Sequence, residues 1–140
     1  MTDSPRRVLV VCTGNSCRSV MAEALINNLG KGRYQAFSAG SRPLGRTNPG
    51  AIETIRRHGF DPGEPVSQSW NEYADQPFDY VITVCDSAAA ETCPLFPGQF
   101  ERKHWSTPDP SHVEGTEAEI EAAFDQAFGM LRERVETELL

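Results

Sequence analysis

The sequence predicts an α/β fold in which a parallel sheet carries helices on both faces. Short apolar runs typical of buried strands recur along the chain, and segments with helical patterning or capping residues lie between them. The chain has 140 residues, of which 39% are hydrophobic, and no repeat or low-complexity tract interrupts it. We therefore expect residues 1–140 to form one three-layer domain around a single core.

The first βα unit consists of a strand over residues 7–12 and a helix over residues 18–29. The strand is predicted by a near-continuous apolar run, which is typical of a strand buried on both faces. The helix is predicted by apolar side chains that recur every four residues along one face, and Gly30 ends it. The small polar residues between these elements form the loop at the carboxyl end of the strand.

The middle of the chain predicts a second strand and a second helix. Residues 34–38 have the pattern of a strand, and Asn48 followed by Pro49 is typical of a helix N-terminus. This helix is expected to end at Gly59. A polar, proline-bearing stretch follows, and residues 70–74 are expected to form a helical turn.

The last part of the chain predicts two strands and a long helix. Residues 80–85 form the clearest β-branched run and predict a central strand, whereas residues 100–105 predict a weaker one. Thr116 and Glu119 have the spacing of a capping box, which opens a helix running to about Glu136.

Composition excludes several classes of partner. The formal net charge of -7 argues against binding to nucleic acid or to an anionic membrane, because no cluster of basic residues offsets it. The apolar stretches are too short for a signal peptide or a membrane span. We expect a cytoplasmic protein whose four cysteines are reduced thiols with catalytic, redox or metal roles.

Two cysteines, Cys12 and Cys85, end predicted strands and so lie at the edge of the sheet where α/β proteins bind ligands. The small residues after Cys12 allow successive backbone N–H groups to converge, and the following helix adds its positive end. Arg18 can hold two oxygens of a bound anion, and the same field would stabilise a Cys12 thiolate. The alternative is that Cys12 only packs in the core and Arg18 is a solvated helix residue.

The segment CTGNSCRS, residues 12–19, resembles the phosphate-binding loop of the low-molecular-weight tyrosine phosphatase family, whose fold also includes arsenate reductases. The resemblance extends through residues 38–40 and 81–85 to Asp109-Pro110. It implies a four-stranded parallel sheet of order 2-1-3-4, a nucleophile at Cys12 and a general acid at Asp109. It also implies an oxyanion loop made of Thr13, Gly14, Asn15, Ser16, Cys17, Arg18 and Ser19.

Phosphatase and reductase are the two enzyme classes that remain, and three observations favour the reductase. Ser111 stands where the tyrosine phosphatases typically have an aromatic residue. Cys85 ends a strand that would neighbour the first one at a distance a disulfide can span, and Cys93 follows nearby. The pair resembles the resolving cysteines of the arsenate reductases, as does His104-Trp105. The resemblance implies attack of Cys12 on arsenate, followed by disulfide transfer through Cys85 and Cys93.

The alternatives left open are a phosphatase that uses only Cys12, Arg18 and Asp109, and a non-catalytic sensor of a metal or an oxyanion. For the reductase, we expect arsenate as substrate and phosphate or sulfate as competing oxyanions. We expect no bound cofactor, a monomer, and an external reductant, either thioredoxin or a glutaredoxin-type protein or low-molecular-weight thiol. Cys17 is assigned to the oxyanion loop, with reversible protection of the nucleophile as its alternative role.

No metal site is predicted. The cysteine spacings are not those of zinc ribbons, and the three histidines form no paired ligand pattern and are given no catalytic role. Some arsenate reductases of this type build a potassium site, to which Asn15, Glu23 and Ser38 correspond. Val66 and Gln68, however, stand where further oxygen ligands are expected. The histidines are His58, His104 and His112.

Overall fold

The structure is a computed structural model, and it describes residues 5–85 and 100–140. Each predicted strand and helix is present, and the bounds differ from the predicted ones by no more than two residues. The strands are β1 (Arg6–Cys12), β2 (Tyr34–Gly40), β3 (Tyr80–Thr83) and β4 (Glu101–His104). The helices are α1 (Arg18–Leu29), α2 (Pro49–Arg57) and α3 (Glu117–Glu138), with short 3-10 turns at Trp70–Tyr73 and Pro110–His112.

The four strands form one parallel sheet of order β2-β1-β3-β4, which confirms the expected order. In register, Cys12 of β1 lies opposite Gly40 of β2, and Val11 lies opposite Thr83 of β3. Residues 8–11 of β1 are fully buried, as expected of a central strand covered on both faces. The ends of β1, β2 and β3 therefore meet at one edge of the sheet.

The helices begin at the residues that the sequence indicates. The Asn48 side chain caps α2 by accepting a hydrogen bond from the Gly50 N–H. At the start of α3, Thr116 and Glu119 form the reciprocal bonds of a capping box. The three helices contact one another, and none of the described helices is long and apolar enough to cross a membrane.

Trp105 and His58, which the sequence does not assign to the site, have structural roles that the packing shows. Trp105, directly after β4, is 1% exposed and belongs to the core. His58 ends α2, stacks on Phe128 of α3 at 4.5 Å between ring centroids, and lies 3.0 Å from an Asp125 carboxylate oxygen. Both residues therefore have structural roles away from the edge where the strands end.

Candidate active site

The loop between β1 and α1 is held open by its backbone carbonyls. The carbonyl oxygens of Thr13, Gly14 and Ser16 accept hydrogen bonds from backbone N–H groups of the segment that follows β2. The three donor-acceptor distances are 2.9, 3.0 and 2.7 Å. Because a trans peptide directs its C=O and N–H to opposite sides, this anchoring turns the loop N–H groups toward the pocket that the loop encloses. That arrangement suits an anion.

Asn15 fixes the shape of the loop from within the protein. It is fully buried and has a backbone φ of 45°, the left-handed region that asparagine tolerates better than most residues. Its side-chain N–H groups donate to Ser19 Oγ and Ser38 Oγ, both at 3.0 Å, and its Oδ1 accepts from the Gln68 N–H at 2.8 Å. The loop is thus tied to α1, β2 and the segment before the first 3-10 turn.

Cys12 lies at the base of the pocket and is 3% exposed. Its Sγ is 3.4 Å from Ser19 Oγ. The pKa of Cys12 lies well above its ordinary value, because its protonated thiol donates a hydrogen bond to Cys85 and because burial disfavours the thiolate, while Ser19 acts in the opposite direction. The low pKa expected from the loop and Arg18 is therefore wrong for the resting site.

Cys85 follows β3 and lies beside Cys12, as the sheet order predicts. Its Sγ accepts a hydrogen bond from the Thr13 N–H at 3.3 Å and lies 3.5 Å from Thr13 Oγ1. Both cysteines are buried and in the thiol form. Cys93, the third predicted member of the relay, lies outside the described residues.

Arg18 and Asp109 meet across the pocket from two distant parts of the chain. The guanidinium donates to the Thr107 carbonyl at 2.9 Å and to Asp109 Oδ2 at 3.4 Å. Asp109 Oδ1 accepts from the Ser111 N–H at 2.9 Å and from Ser111 Oγ at 2.6 Å. His112 Nε2 lies 3.2 Å from Oδ2. These contacts hold the Asp109 carboxylate at the pocket.

The pocket has a volume of about 490 Å³, and seven of the predicted site residues line it together with other described residues. Asn15, Ser19 and Cys85 lie outside this lining. Sequence reasoning missed Arg42 and Leu44, which follow β2, and gave Ser111 and His112 no part in the site. The available signal was position: Arg42 comes two residues after the strand end at Gly40, at the same sheet edge as Cys12. Among the described residues, the lining consists of Cys12, Thr13, Gly14, Ser16, Cys17, Arg18, Arg42, Leu44, Asp109, Ser111 and His112.

Two further buried groups surround the loop. Burial and the charge of Asp109 raise the pKa of Cys17 to about 12, against the opposing effect of Arg18, so this thiol stays protonated. Burial raises the pKa of Glu23 to about 7, and Ser38 Oγ donates to its carboxylate at 2.8 Å. Among residues 5–85 and 100–140, no group of three or more histidine, cysteine or acidic side chains could hold a metal ion.

Comparison with known proteins gives consistent matches over nearly the whole chain. A family model described as low molecular weight phosphotyrosine protein phosphatase matches residues 7–139. The arsenate reductase of Bacillus licheniformis is 36% identical over 132 residues, covering 94% of each protein. A solved structure of an arsenate reductase in the reduced state is 30% identical, with a TM-score of 0.74 and 94% of each chain covered. A thioredoxin-dependent arsenate reductase of Corynebacterium glutamicum, 23% identical, shares the fold with a TM-score of 0.71 over 98% of this chain and 63% of that chain.

Proposed function

The chain belongs to the low molecular weight phosphotyrosine protein phosphatase family, and we propose that it reduces arsenate to arsenite through a relay of cysteine thiols. The observation that carries the proposal is the position of Cys85: its Sγ accepts a hydrogen bond from the N–H of Thr13, the residue directly after Cys12, and it interacts with Cys12 itself. A phosphatase needs a nucleophile, an arginine and an acid, but its reaction has no step that requires a second thiol. A reductase needs that thiol to accept the nucleophile as a disulfide partner.

The first step forms a bond between Cys12 and arsenic. Arsenate binds to the loop N–H groups and to Arg18, which turns its donors from Asp109 to the anion. The Cys12 sulfur attacks arsenic, and one arsenate oxygen leaves as water with a proton delivered by Asp109. The product is a thiol–arsenic(V) adduct held in the same loop.

The second step reduces arsenic by two electrons. The Cys85 sulfur attacks the Cys12 sulfur, the sulfur–arsenic bond breaks, and its electron pair stays on arsenic, which leaves as arsenite and takes up the proton that the Cys85 thiol loses. A disulfide between Cys12 and Cys85 remains. The backbone N–H of Thr13, which donates to Cys85 Sγ, would stabilise the attacking thiolate.

The third step moves the disulfide away from the nucleophile. Cys93 attacks the Cys85 sulfur, which frees the Cys12 thiolate and leaves a disulfide between Cys85 and Cys93. An external dithiol must then supply two electrons to restore both thiols. We propose a thioredoxin-type protein for this role, acting in the cytoplasm on a monomeric enzyme, with a glutaredoxin or a small thiol as the other outcomes of the assay.

The proposal is tested by counting thiols on fully reduced, reductant-free protein before and after addition of arsenate. We expect a loss of two of the four thiols with release of one arsenite, and no loss with phosphate. Peptide mapping should find the disulfide between Cys85 and Cys93. Cys93→Ser should instead stop with a disulfide between Cys12 and Cys85, and Cys85→Ser should release no arsenite.

A phosphatase predicts the opposite result. It would lose no thiol with arsenate, and the Cys85→Ser and Cys93→Ser variants would hydrolyse an aryl phosphate as well as the parent protein does. A sensor would bind arsenate without consuming thiols and without hydrolysing the phosphate ester. The three readings are thus separated by one thiol assay and one phosphatase assay on the same variants.

A further inference from the structure

We propose that Arg42 is a substrate-binding residue of the oxyanion pocket. Its positive charge attracts an arriving anion while Arg18 is still bound to Asp109. The identity of the anion as arsenate rests on the proposed function, but the role of Arg42 in anion binding does not. Nothing in the loop motif assigns this residue, which belongs to the segment after β2.

The position of Arg42 is fixed by the loop itself. Its backbone N–H donates to the Thr13 carbonyl at 2.9 Å, and the residue lines the pocket together with Cys12 and Arg18. The side chain is exposed, so it stands at the solvent end of the pocket and not at its base. An anion at the solvent end of the pocket therefore lies near Arg42.

The charges lining the pocket leave Arg42 as the uncompensated cation. Arg18 donates to the Asp109 carboxylate, so this pair contributes little net charge toward an approaching anion. His112 is also turned to Asp109. Arg42 forms no ion pair within residues 5–85 and 100–140. In a chain with a net charge of -7, the Arg42 guanidinium offsets part of the repulsion that an anion meets at the pocket.

The pairing of Arg18 with Asp109 also explains why the pocket needs a second cation. An anion that binds Arg18 must replace Asp109 as the partner of the guanidinium. The negative charge of the anion then lies next to the Asp109 carboxylate. Two like charges in one pocket repel each other, and a second guanidinium nearby reduces this cost. Arg42 should therefore act on binding, with little effect on the chemical step once the anion is held.

The test is calorimetric titration of inorganic phosphate into the reduced protein. We expect Arg42→Ala to weaken phosphate binding about five- to tenfold, with the difference shrinking as ionic strength rises. Arg42→Lys should retain binding within about twofold, because it keeps the charge. Arg46→Ala is the matched control: Arg46 is exposed in the same segment but does not line the pocket, so its removal should change binding by less than about twofold.

Two results would overturn the proposal. Equal phosphate affinity in Arg42→Ala and the parent protein would show that the guanidinium takes no part in binding. If Arg42→Ala and Arg46→Ala weakened phosphate binding equally, the effect would come from the overall positive charge of the segment and not from the place of Arg42 at the pocket. With arsenate as substrate, we expect the KM to rise by the same factor as the phosphate dissociation constant while kcat is unchanged. The phosphate titration judges Arg42 even if no variant reduces arsenate.

Discussion

Replacement of Glu23 by glutamine should remove a pH-dependent cost to folding. Glu23 lies on α1, where burial raises the pKa of its carboxyl from 4.5 to about 7. The unfolded chain releases this proton near pH 4.5, whereas the folded protein holds it until about pH 7. The free energy of unfolding therefore falls as the pH rises through this window and is constant above it. The difference corresponds to about 3 kcal/mol.

Glutamine is the matched replacement because its Oε1 can accept the hydrogen bond that Ser38 Oγ donates to Glu23. Glutamine does not ionise, so the free energy of unfolding of the variant lacks the decrease that the parent protein shows between pH 4.5 and about 7. The assay is urea unfolding of the reduced parent protein and of Glu23→Gln at a series of pH values from about 4.5 to about 8. We expect the variant to gain about 3 kcal/mol relative to the parent between the two ends of the series.

The control is Glu53→Gln, which removes an exposed carboxylate on α2. Its stability relative to the parent should stay nearly constant across the series. A flat difference between Glu23→Gln and the parent would refute the reasoning, since it would mean that burial on α1 does not hold a proton on Glu23. If Glu23→Gln instead gained stability relative to the parent as the pH falls, the predicted direction of the pH dependence would be wrong.

Two further changes test the pocket and the fold. Asp109→Asn removes the carboxylate charge while keeping its size. It should bind phosphate more tightly by calorimetry yet release arsenite about 100-fold more slowly, because asparagine cannot carry a proton; unchanged arsenite release would contradict this role. Thr116→Ala removes the side-chain half of the α3 capping box and should lower the free energy of unfolding by about 1 kcal/mol in a denaturant titration, with unaltered phosphate affinity. A loss below about 0.3 kcal/mol would mean that the cap contributes nothing measurable.

The parts of the fold that were predictable are those set by local patterns. The apolar run of β1 and the capping signals at Asn48 and Thr116 depend on neighbouring residues, and the structure has each element where its pattern begins. The order of the four strands does not follow from any such pattern. It came from the resemblance, because strand order depends on contacts between residues far apart in sequence.

The candidate site also has one part that the local sequence predicts and one part that depends on distant residues. The loop from Cys12 to Arg18 was predictable because one short segment contains the strand end, the small residues and the start of the helix. The raised pKa of Cys12 was not, because it depends on burial and on Cys85, which is 73 positions further along the chain. Arg42 was missed for a similar reason: it reaches the pocket through a backbone hydrogen bond to Thr13 that no sequence pattern announces.

The proton held on Cys12 is the one that the proposed first step requires. When a thiol reacts with arsenate that carries one proton, the departing water takes the arsenate hydroxyl and the thiol proton, so no other proton source is needed. In the proposed step, Asp109, which contacts Arg18, Ser111 and His112, accepts the thiol proton and then delivers it to the leaving oxygen. A protonated thiol and an ionised acid thus hold the same number of protons as a thiolate and a protonated acid. The protonated Cys12 has an advantage at rest, because the thiolate is the form that oxidants attack.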